Sequence, residues 1–438
     1  MKLKRIMLIL IFSLSTLVSS AFAQTVLHRF VLVAGANSGG ADRPLLRYAV
    51  SDAEKFERVL TDLGGVSSAE TLALNEPKVR GLVEGLNWLS ERVAEVRRTQ
   101  DTGRIRTEIL VYYSGHADEK GLLLGDDRYS YQSLRDRLDE IPADVRIAVL
   151  DACASGAFTR LKGGRVLRPF MVDEATEMQG HAFLTSSAET EAAQESDYLG
   201  ASYFTHSLVS GLRGAADVNT DGKVTLNEAY EFAFQETLGQ TVNSRGGAQH
   251  PSYDIKLTGT GDVVITDVRQ TTATMVLAGS LKGRVYIRNE RQELVVELYK
   301  VQGREVELGL EPGTYEVRIQ EPPEAWLTKS QLIAGQRLEL ASDQFTPTQL
   351  APTRPRGITP PNYAVAGRNR IELRAGMWRG SDDAAESGPS AAAGTRSVDL
   401  LVGLQYTRFI REDLSVTFSV DVLASDSDVV TTSAAFTG

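Results

Sequence analysis

A chain of 438 residues with a formal net charge of −10 is longer than one hydrophobic core usually supports, roughly 250 to 300 residues, so two or three domains are expected. The acidic balance argues against nucleic acid as a partner and against a generally anionic surface target. A single cysteine, Cys153, excludes an intrachain disulfide framework.

The chain opens with MKLKRIMLILIFSLSTLVSSAFAQ: a basic start, an apolar stretch from Ile6 to Leu17, and small residues at Ala21 and Ala23. This pattern predicts a secretory signal peptide over residues 1–23, because the apolar stretch is shorter than the ~20 residues a membrane-spanning helix needs. No long apolar run follows, so the mature chain is expected to be exported to the periplasm or cell envelope without transmembrane helices. Cysteines normally pair in such a compartment. A lone thiol there is either buried and inert or used for chemistry.

From Arg29 to Asp262 apolar strands alternate with amphipathic helices, which predicts an α/β domain over residues 24–262 with a mostly parallel sheet sandwiched by helices. RFVLVAGAN reads as the first strand, YAVSDAEKFERVLTDLG as a helix, TLALN as the second strand, and Lys78 to Arg98 as a longer helix. In that helix Val79, Leu82, Val83, Leu86, Leu89, Val93 and Val96 recur near i, i+3, i+4 and i+7, so one face packs on the sheet. TEILVYYSG, GLLLG, VRIAVLDAC and HAFLTSSA continue the strands. YQSLRDRLDEI, YFTHSLVSGLRG and TLNEAYEFAFQETL continue the helices.

After Asp262 the pattern turns to alternation without helices, as in EVELGLEPGTYEVRIQ, and predicts a small β-sandwich over 263–345. A Pro-rich linker is expected over 346–367. Residues 368–438 alternate again and resemble the opening strands of an outer-membrane barrel. A segment of about 70 residues supplies at most about four strands, whereas closed barrels begin at about eight. Either the chain is a truncated gene product with outer-membrane association through these strands, or the strands join a soluble sheet.

The chemistry-bearing residues fall at two strand ends. YYSGHAD places His116 just past one strand, and LDACASG places Cys153 just past the next long one. Sites in open parallel sheets form at the carboxyl ends of strands, so thiol and imidazole can meet there. A free thiol of pKa ~8.5 needs a neighbouring imidazole or cation to act as a nucleophile at neutral pH. A lone buried cysteine in a core strand reads the same way by spacing, so both readings stand at this point.

YYSGHAD and LDACASGAF resemble the His and Cys motifs of the caspase-like cysteine peptidases, nearest to their metacaspase branch. LLRYAVSDAEKFERVL, TSSAETEAAQES and SYFTHSLVSGLRGAAD extend the likeness over Arg29 to Asp262. The resemblance implies a caspase-like α/β sandwich and a cysteine endopeptidase acting on protein or peptide substrates. It implies Cys153 as nucleophile, His116 as general acid and base, and the backbone N–H groups of Cys153 and Ala117 as oxyanion donors. The family usually has Gly where Ala117 stands, a departure that keeps the N–H. It also implies substrate-binding roles for Asp52, Ser114 and Asp151 in a pocket for Arg or Lys at P1. Two carboxylates in one partly desolvated pocket repel each other unless a cation arrives, which suits that preference. A catalytically inactive caspase fold serving as a binding or scaffold module is the alternative, since folds outlive activities.

Two further stretches carry signals. DVNTDGKVTLNE fits the EF-hand loop pattern D-x-N-x-D-G-x5-E, with Asp217, Asn219, Asp221, the Lys223 carbonyl, Thr225 and Glu228 as candidate Ca2+ ligands. A capped turn between two helices whose acids merely solvate it is the alternative. RLKGGRVLRP, residues 160–169, is a basic, glycine-rich stretch that reads equally as a solvated loop and as a self-cleavage candidate for an enzyme selecting Arg or Lys. No organic cofactor is expected, and the oligomeric state is not encoded in any motif.

Overall fold

The computed structural model describes residues 26–100, 105–153, 155, 179–188, 191–242, 244, 246–258, 262–349, 369–378, 399–411, 414–424 and 429–437. The expected signal peptide, the basic stretch 160–169 and most of the Pro-rich segment lie outside these residues. The chain forms two compact units, Met1–Ile358 and Thr359–Gly438.

The first unit is built on a six-stranded sheet with the order β12-β8-β7-β3-β1-β2. Its strands are β1 (Val26–Ala36), β2 (Thr71–Asn75), β3 (Ile105–Gly115), β7 (Val145–Asp151), β8 (Gln179–Thr185) and β12 (Ser252–Thr258). All neighbours are parallel except β12, which runs antiparallel along β8 at the edge. The alternating burial of SYDIKLT carries little apolar signal, so this edge strand was not legible in the sequence. Between β3 and β7 lies a small antiparallel sheet of β4 (Ala117–Asp118), β5 (Gly121–Leu124) and β6 (Asp127–Ser130).

The two faces of the sheet bury alternate residues of the same strands. Val31, Val33, Leu110, Tyr112, Ile147 and Val149 face helix α1 (Ala49–Leu63) and the helices α4 (Tyr203–Ser210) and α5 (Leu226–Thr241). Leu32, Ala34, Val111, Tyr113, Ala148 and Leu150 face α2 (Val79–Thr99) and α3 (Tyr131–Glu140). Period-2 alternation with both faces apolar reads as a continuous hydrophobic run, which is why these strands were recognisable as doubly covered.

A short hairpin, β9 (Glu195–Ser196) and β10 (Ala201–Ser202), leads into α4. Ser202 caps that helix by accepting a hydrogen bond from the Thr205 N–H. The helix is α-helical only to Ser210 and continues as a π turn over Gly211–Ala215, with Gly214 at φ 117°. A Cβ at Gly214 would lie 2.1 Å from the Glu307 carbonyl oxygen, so close passage of the following β module requires glycine there. β11 (Lys223–Thr225) precedes α5 and pairs with β13 (Val264–Asp267).

Residues after β13 form two sheets around one core. One sheet has β14 (Ala273–Leu277), β17 (Val306–Leu310) and β20 (Arg337–Leu340). The other has β15 (Gly283–Arg288), β16 (Leu294–Lys300), β18 (Gly313–Glu321), β19 (Glu324–Leu332) and β21 (Thr346–Thr348). Met275, Leu277, Leu308 and Leu340 of the first meet Val285, Ile287, Val296, Leu298, Val317 and Ile319 of the second. β21 pairs with β19, so the sheet takes up the first three residues of the segment read as linker.

The opposite face of the larger sheet packs on the helices. Arg284 pairs with Glu236 of α5 at 2.6 Å and with Glu297 of β16 at 2.7 Å, and Ser210 Oγ accepts from the Glu297 N–H at 3.2 Å. Leu199, Ala201 and Tyr203 join Tyr286 and Leu294 in an apolar cluster beneath the hairpin.

The second unit is an antiparallel four-stranded sheet in sequence order, β22 (Asn369–Trp378), β23 (Asp399–Arg411), β24 (Leu414–Ala424) and β25 (Val429–Thr437). Among the described residues no helix is long and apolar enough to cross a membrane.

Candidate active site

β3 and β7 are parallel neighbours, with Ser114 paired to Asp151. His116 and Cys153 each lie two residues beyond that pair. The two side chains therefore issue from strands about 4.8 Å apart at the same level of the sheet edge.

His116 is buried, at 8% exposure. Its Nε2 lies 2.8 Å from the Pro44 carbonyl oxygen. A carbonyl has no proton to give, so Nε2 carries the hydrogen and Nδ1 of the neutral ring is the nitrogen able to accept one. The His116 carbonyl accepts from the Tyr113 hydroxyl and the Leu123 N–H, both at 2.9 Å, which fixes the turn. Gly39 packs on the ring, and a Cβ there would fall 2.5 Å from the imidazole. Burial lowers the His116 pKa, the Pro44 contact opposes this, and Arg43 adds to the lowering.

Cys153 is half-buried, and its Sγ lies 3.8 Å from the Ala193 carbonyl oxygen. The residue before it is clamped from both sides. Ala152 N–H donates to Ser186 Oγ at 3.1 Å, and Ser187 Oγ donates to the Ala152 carbonyl at 3.1 Å. The TSS stretch at the end of β8 thus shapes the turn on which the thiol sits. Burial raises the thiol pKa, with Asp151 and Glu195 adding to the rise and the Ala193 contact opposing it. Burial thus favours the neutral form of both groups.

The sheet edge brings Asp52 and Asp151 together although 99 positions separate them in sequence. Asp52, on the first turn of α1, is 0% exposed and Asp151 is 3% exposed. Ser202 joins the two: its N–H donates to Asp52 Oδ2 at 2.9 Å, and its hydroxyl donates to Asp151 Oδ2. Thr205 Oγ1 donates to the same Asp151 oxygen at 2.6 Å. The other oxygens, Asp52 Oδ1 and Asp151 Oδ1, are buried without a hydrogen-bond partner.

Lys55, one turn along α1, reaches to 3.6 Å from Asp52 Oδ1 and donates to the Gly200 carbonyl. Burial pushes the Asp52 pKa well up, Lys55 opposes the rise, and Asp151 adds to it. Burial also raises Asp151, against its hydrogen bonds from Ser202 and Thr205. Ser114 is buried at the register position facing Asp151 and interacts with the Tyr112 phenol.

Several contributors to this site were not found from the sequence. Glu195 accepts from the N–H groups of Arg47 and Tyr48, at 3.1 and 3.0 Å, just ahead of α1, and acts electrostatically on Asp52, Asp151 and Cys153. Ser202, Thr205, Pro44 and Gly39 complete the list. Only Ser202 left a signal, as a helix cap before YFT. Ala117 opens β4 directly after His116.

At the loop 217–228 the side chains turn inward on the backbone. Asp217 accepts from the Asp221 and Gly222 N–H groups, and Asn219 and Asp221 accept from the Asp221 and Lys223 N–H groups. Gly222 takes φ 79° at the sharp turn. Glu228 serves in a capping box with Thr225 and also accepts from the Val218 N–H. Among the described residues no three acidic, histidine or cysteine side chains gather as a metal site. Oxygen donors and tight turn fit a hard cation, but Glu228 would have to leave its cap to complete the set.

An open, mostly parallel sheet clad by helices, with imidazole and thiol leaving adjacent strands, has the architecture of an α/β cysteine peptidase. Residues 28–260 match the caspase domain family. That match spans more than half of the chain, which belongs to this family of caspase-like cysteine peptidases. Among solved structures the chain is similar to caspase-1 from Spodoptera frugiperda, with 15% identity over 56% of this chain and 92% of that chain and a TM-score of 0.37. No curated protein matches the chain.

Proposed function

We propose that this protein is a cysteine endopeptidase of the metacaspase type that cleaves protein or peptide substrates after Arg or Lys. One observation carries the reading. Two buried carboxylates, bridged by Ser202, each keep one oxygen without a hydrogen-bond partner beside the strand ends that carry His116 and Cys153. An unpartnered buried acceptor costs about 1–3 kcal/mol, and more when charged. A cationic side chain entering the pocket relieves that cost, which a neutral or acidic one does not.

In this reading Cys153 Sγ attacks the scissile carbonyl carbon while His116 Nδ1 takes the thiol proton. The Pro44 carbonyl holds the ring and favours the imidazolium that forms. Backbone N–H groups of Cys153 and Ala117 receive the oxyanion. His116 then protonates the leaving amine, and water attacks the thioester with His116 as base. The arriving P1 cation also offsets Asp151 and Glu195, which add to the burial that raises the thiol pKa, so substrate binding and nucleophile activation are linked. Export to the cell envelope and calcium at the 217–228 loop belong to the same proposal.

The test compares peptides ending in Arg, Lys, Asp or Gln at P1, under reducing conditions, for the parent protein and Cys153→Ala. Turnover after Arg and Lys that vanishes in Cys153→Ala is expected. No turnover, together with no labelling of Cys153 by an arginyl electrophile, would refute catalysis and leave a binding module.

A further inference from the structure

At the seam between hairpin β9–β10 and the larger β sheet lies a cleft of ≈ 210 Å³ lined by Tyr198, Tyr286, Arg288, Gln292, Glu316 and Arg318. In the β15–β18 register Tyr286 pairs with Arg318 and Arg288 with Glu316, so both guanidiniums rise from one face of neighbouring strands. The Arg288 guanidinium carbon lies 5.2 Å from the Tyr198 ring centroid. Tyr198 meets Tyr286 edge to face at 6.4 Å.

Both guanidiniums are bonded to backbone. Arg288 donates to the Gln292 carbonyl at 2.7 Å and Arg318 to the Gln349 carbonyl at 3.1 Å. Neither forms an ion pair with a carboxylate among the described residues, while Glu316 lies 3.4 Å from Lys329. Each guanidinium has five N–H donors in a planar fork suited to a carboxylate. At ~30 Å³ per water the volume equals about seven waters, room for one acidic side chain rather than a helix.

Place supplies the second argument. Tyr198 is three residues from Glu195, whose charge bears on Asp52, Asp151 and Cys153. Three residues span at most about 11 Å. The strand that carries Arg288 is fixed against α5 by the packing of the sheet, with Arg284 between Glu236 and Glu297. Glu195 pairs with Ser202, which bonds both Asp52 and Asp151, so one short hairpin links the cleft to the two acids.

We propose that the cleft is a substrate subsite for an acidic residue, in which Arg288 and Arg318 take the carboxylate of a Glu or Asp about three or four positions from the basic residue, at ~3.3–3.6 Å per position, and Tyr198 covers its stem. The inference rests on the reading of the acid pocket as the site of that basic residue. It makes the β module part of the substrate-binding face and predicts a preference for mixed-charge sequences.

The test uses full-length Cys153→Ala protein and four dye-labelled peptides that cross Arg or Ala at one position with Glu or Gln four residues away, prepared with the Glu or Gln on either side. Binding is read by fluorescence anisotropy at low salt. In one orientation the Glu peptides should bind about tenfold tighter than their Gln partners, as expected of charge-assisted hydrogen bonds. The ratio should fall to about one in R288Q/R318Q and recover partly in R288K/R318K. A ratio near one in the parent, a ratio that survives R288Q/R318Q, or no Glu-dependent binding at millimolar peptide overturns the subsite. Equal binding of the Arg and Ala peptides counts against the acid-pocket reading instead, while the Glu-to-Gln ratio within the Ala pair still decides the subsite.

Discussion

Asp52→Asn separates what the acid pocket does for function from what it does to stability. Asp52 is 0% exposed, and its Oδ1 has no hydrogen-bond partner. Leaving such an oxygen buried costs about 1–3 kcal/mol. The attraction to Lys55 at 3.6 Å offsets little of that, about 0–1 kcal/mol, because the lysine side chain is 34% exposed. Replacing the charge with a neutral amide is therefore expected to stabilise the fold by about 1–2 kcal/mol at pH 8. At about 2–4 °C per kcal/mol for a domain of this order, the melting temperature should rise by about 2–8 °C.

The pH dependence has a definite sign. Burial holds the Asp52 pKa above its unfolded value, so the stability associated with the neutral carboxyl is present at low pH and lost as pH rises through the folded pKa. The advantage of Asn is thus absent near pH 4 and grows toward pH 8. Turnover of Arg substrates should fall by about 30-fold or more, from the ~2–5 kcal/mol lost when one partner of a buried charge pair is removed. The assays are calorimetry of parent and variant at pH 4, 6 and 8, and kcat/KM on P1 Arg and P1 Gln peptides. A variant less stable than the parent at pH 8, or an equal difference at pH 4 and pH 8, refutes the electrostatic account of the pocket.

Gly39→Ala places a Cβ 2.5 Å from the His116 ring. Displacing the imidazole should lower kcat by about 100-fold with little change in KM, and an unchanged kcat contradicts the packing role. The Cys153 thiol, held protonated by burial, Asp151 and Glu195, should label with iodoacetamide at a rate that keeps rising above the ordinary thiol range. Glu195→Gln should move that profile down, and a plateau below pH ~8.5 in the parent would contradict the assignment. Calcium at about 1 mM should raise the melting temperature where magnesium does not, and Glu228→Gln should remove the effect. Absence of a shift in the parent excludes a calcium site in the 217–228 loop.

Local pattern determined the class of fold. Long runs such as RFVLVAGAN and VRIAVLDAC suit strands covered on both faces, and the seven-residue apolar face of the helix after Lys78 suits packing on such a sheet. Because open sheets gather their sites at strand carboxyl ends, His116 and Cys153 were legible as a candidate pair. SYDIKLT was lost for the opposite reason: an edge strand half covered and half exposed has little apolar signature. The β module was visible from alternation, but nothing in that alternation announced that Arg288 and Arg318 would face the hairpin of the peptidase fold.

The pocket chemistry belongs to tertiary structure. Asp52, Asp151, Glu195 and Ser202 come from a helix, two strands and a cap, and their electrostatic meaning arises only when burial strips away water and leaves two oxygens without hydrogen bonds. Sequence spacing records which groups a chain carries and which secondary structure holds them. Desolvation, tautomer and charge coupling depend on distances of a few ångströms between segments far apart along the chain. The Pro44 carbonyl that sets the His116 tautomer and the Gly39 contact that positions its ring are backbone features, invisible to any pattern of side chains.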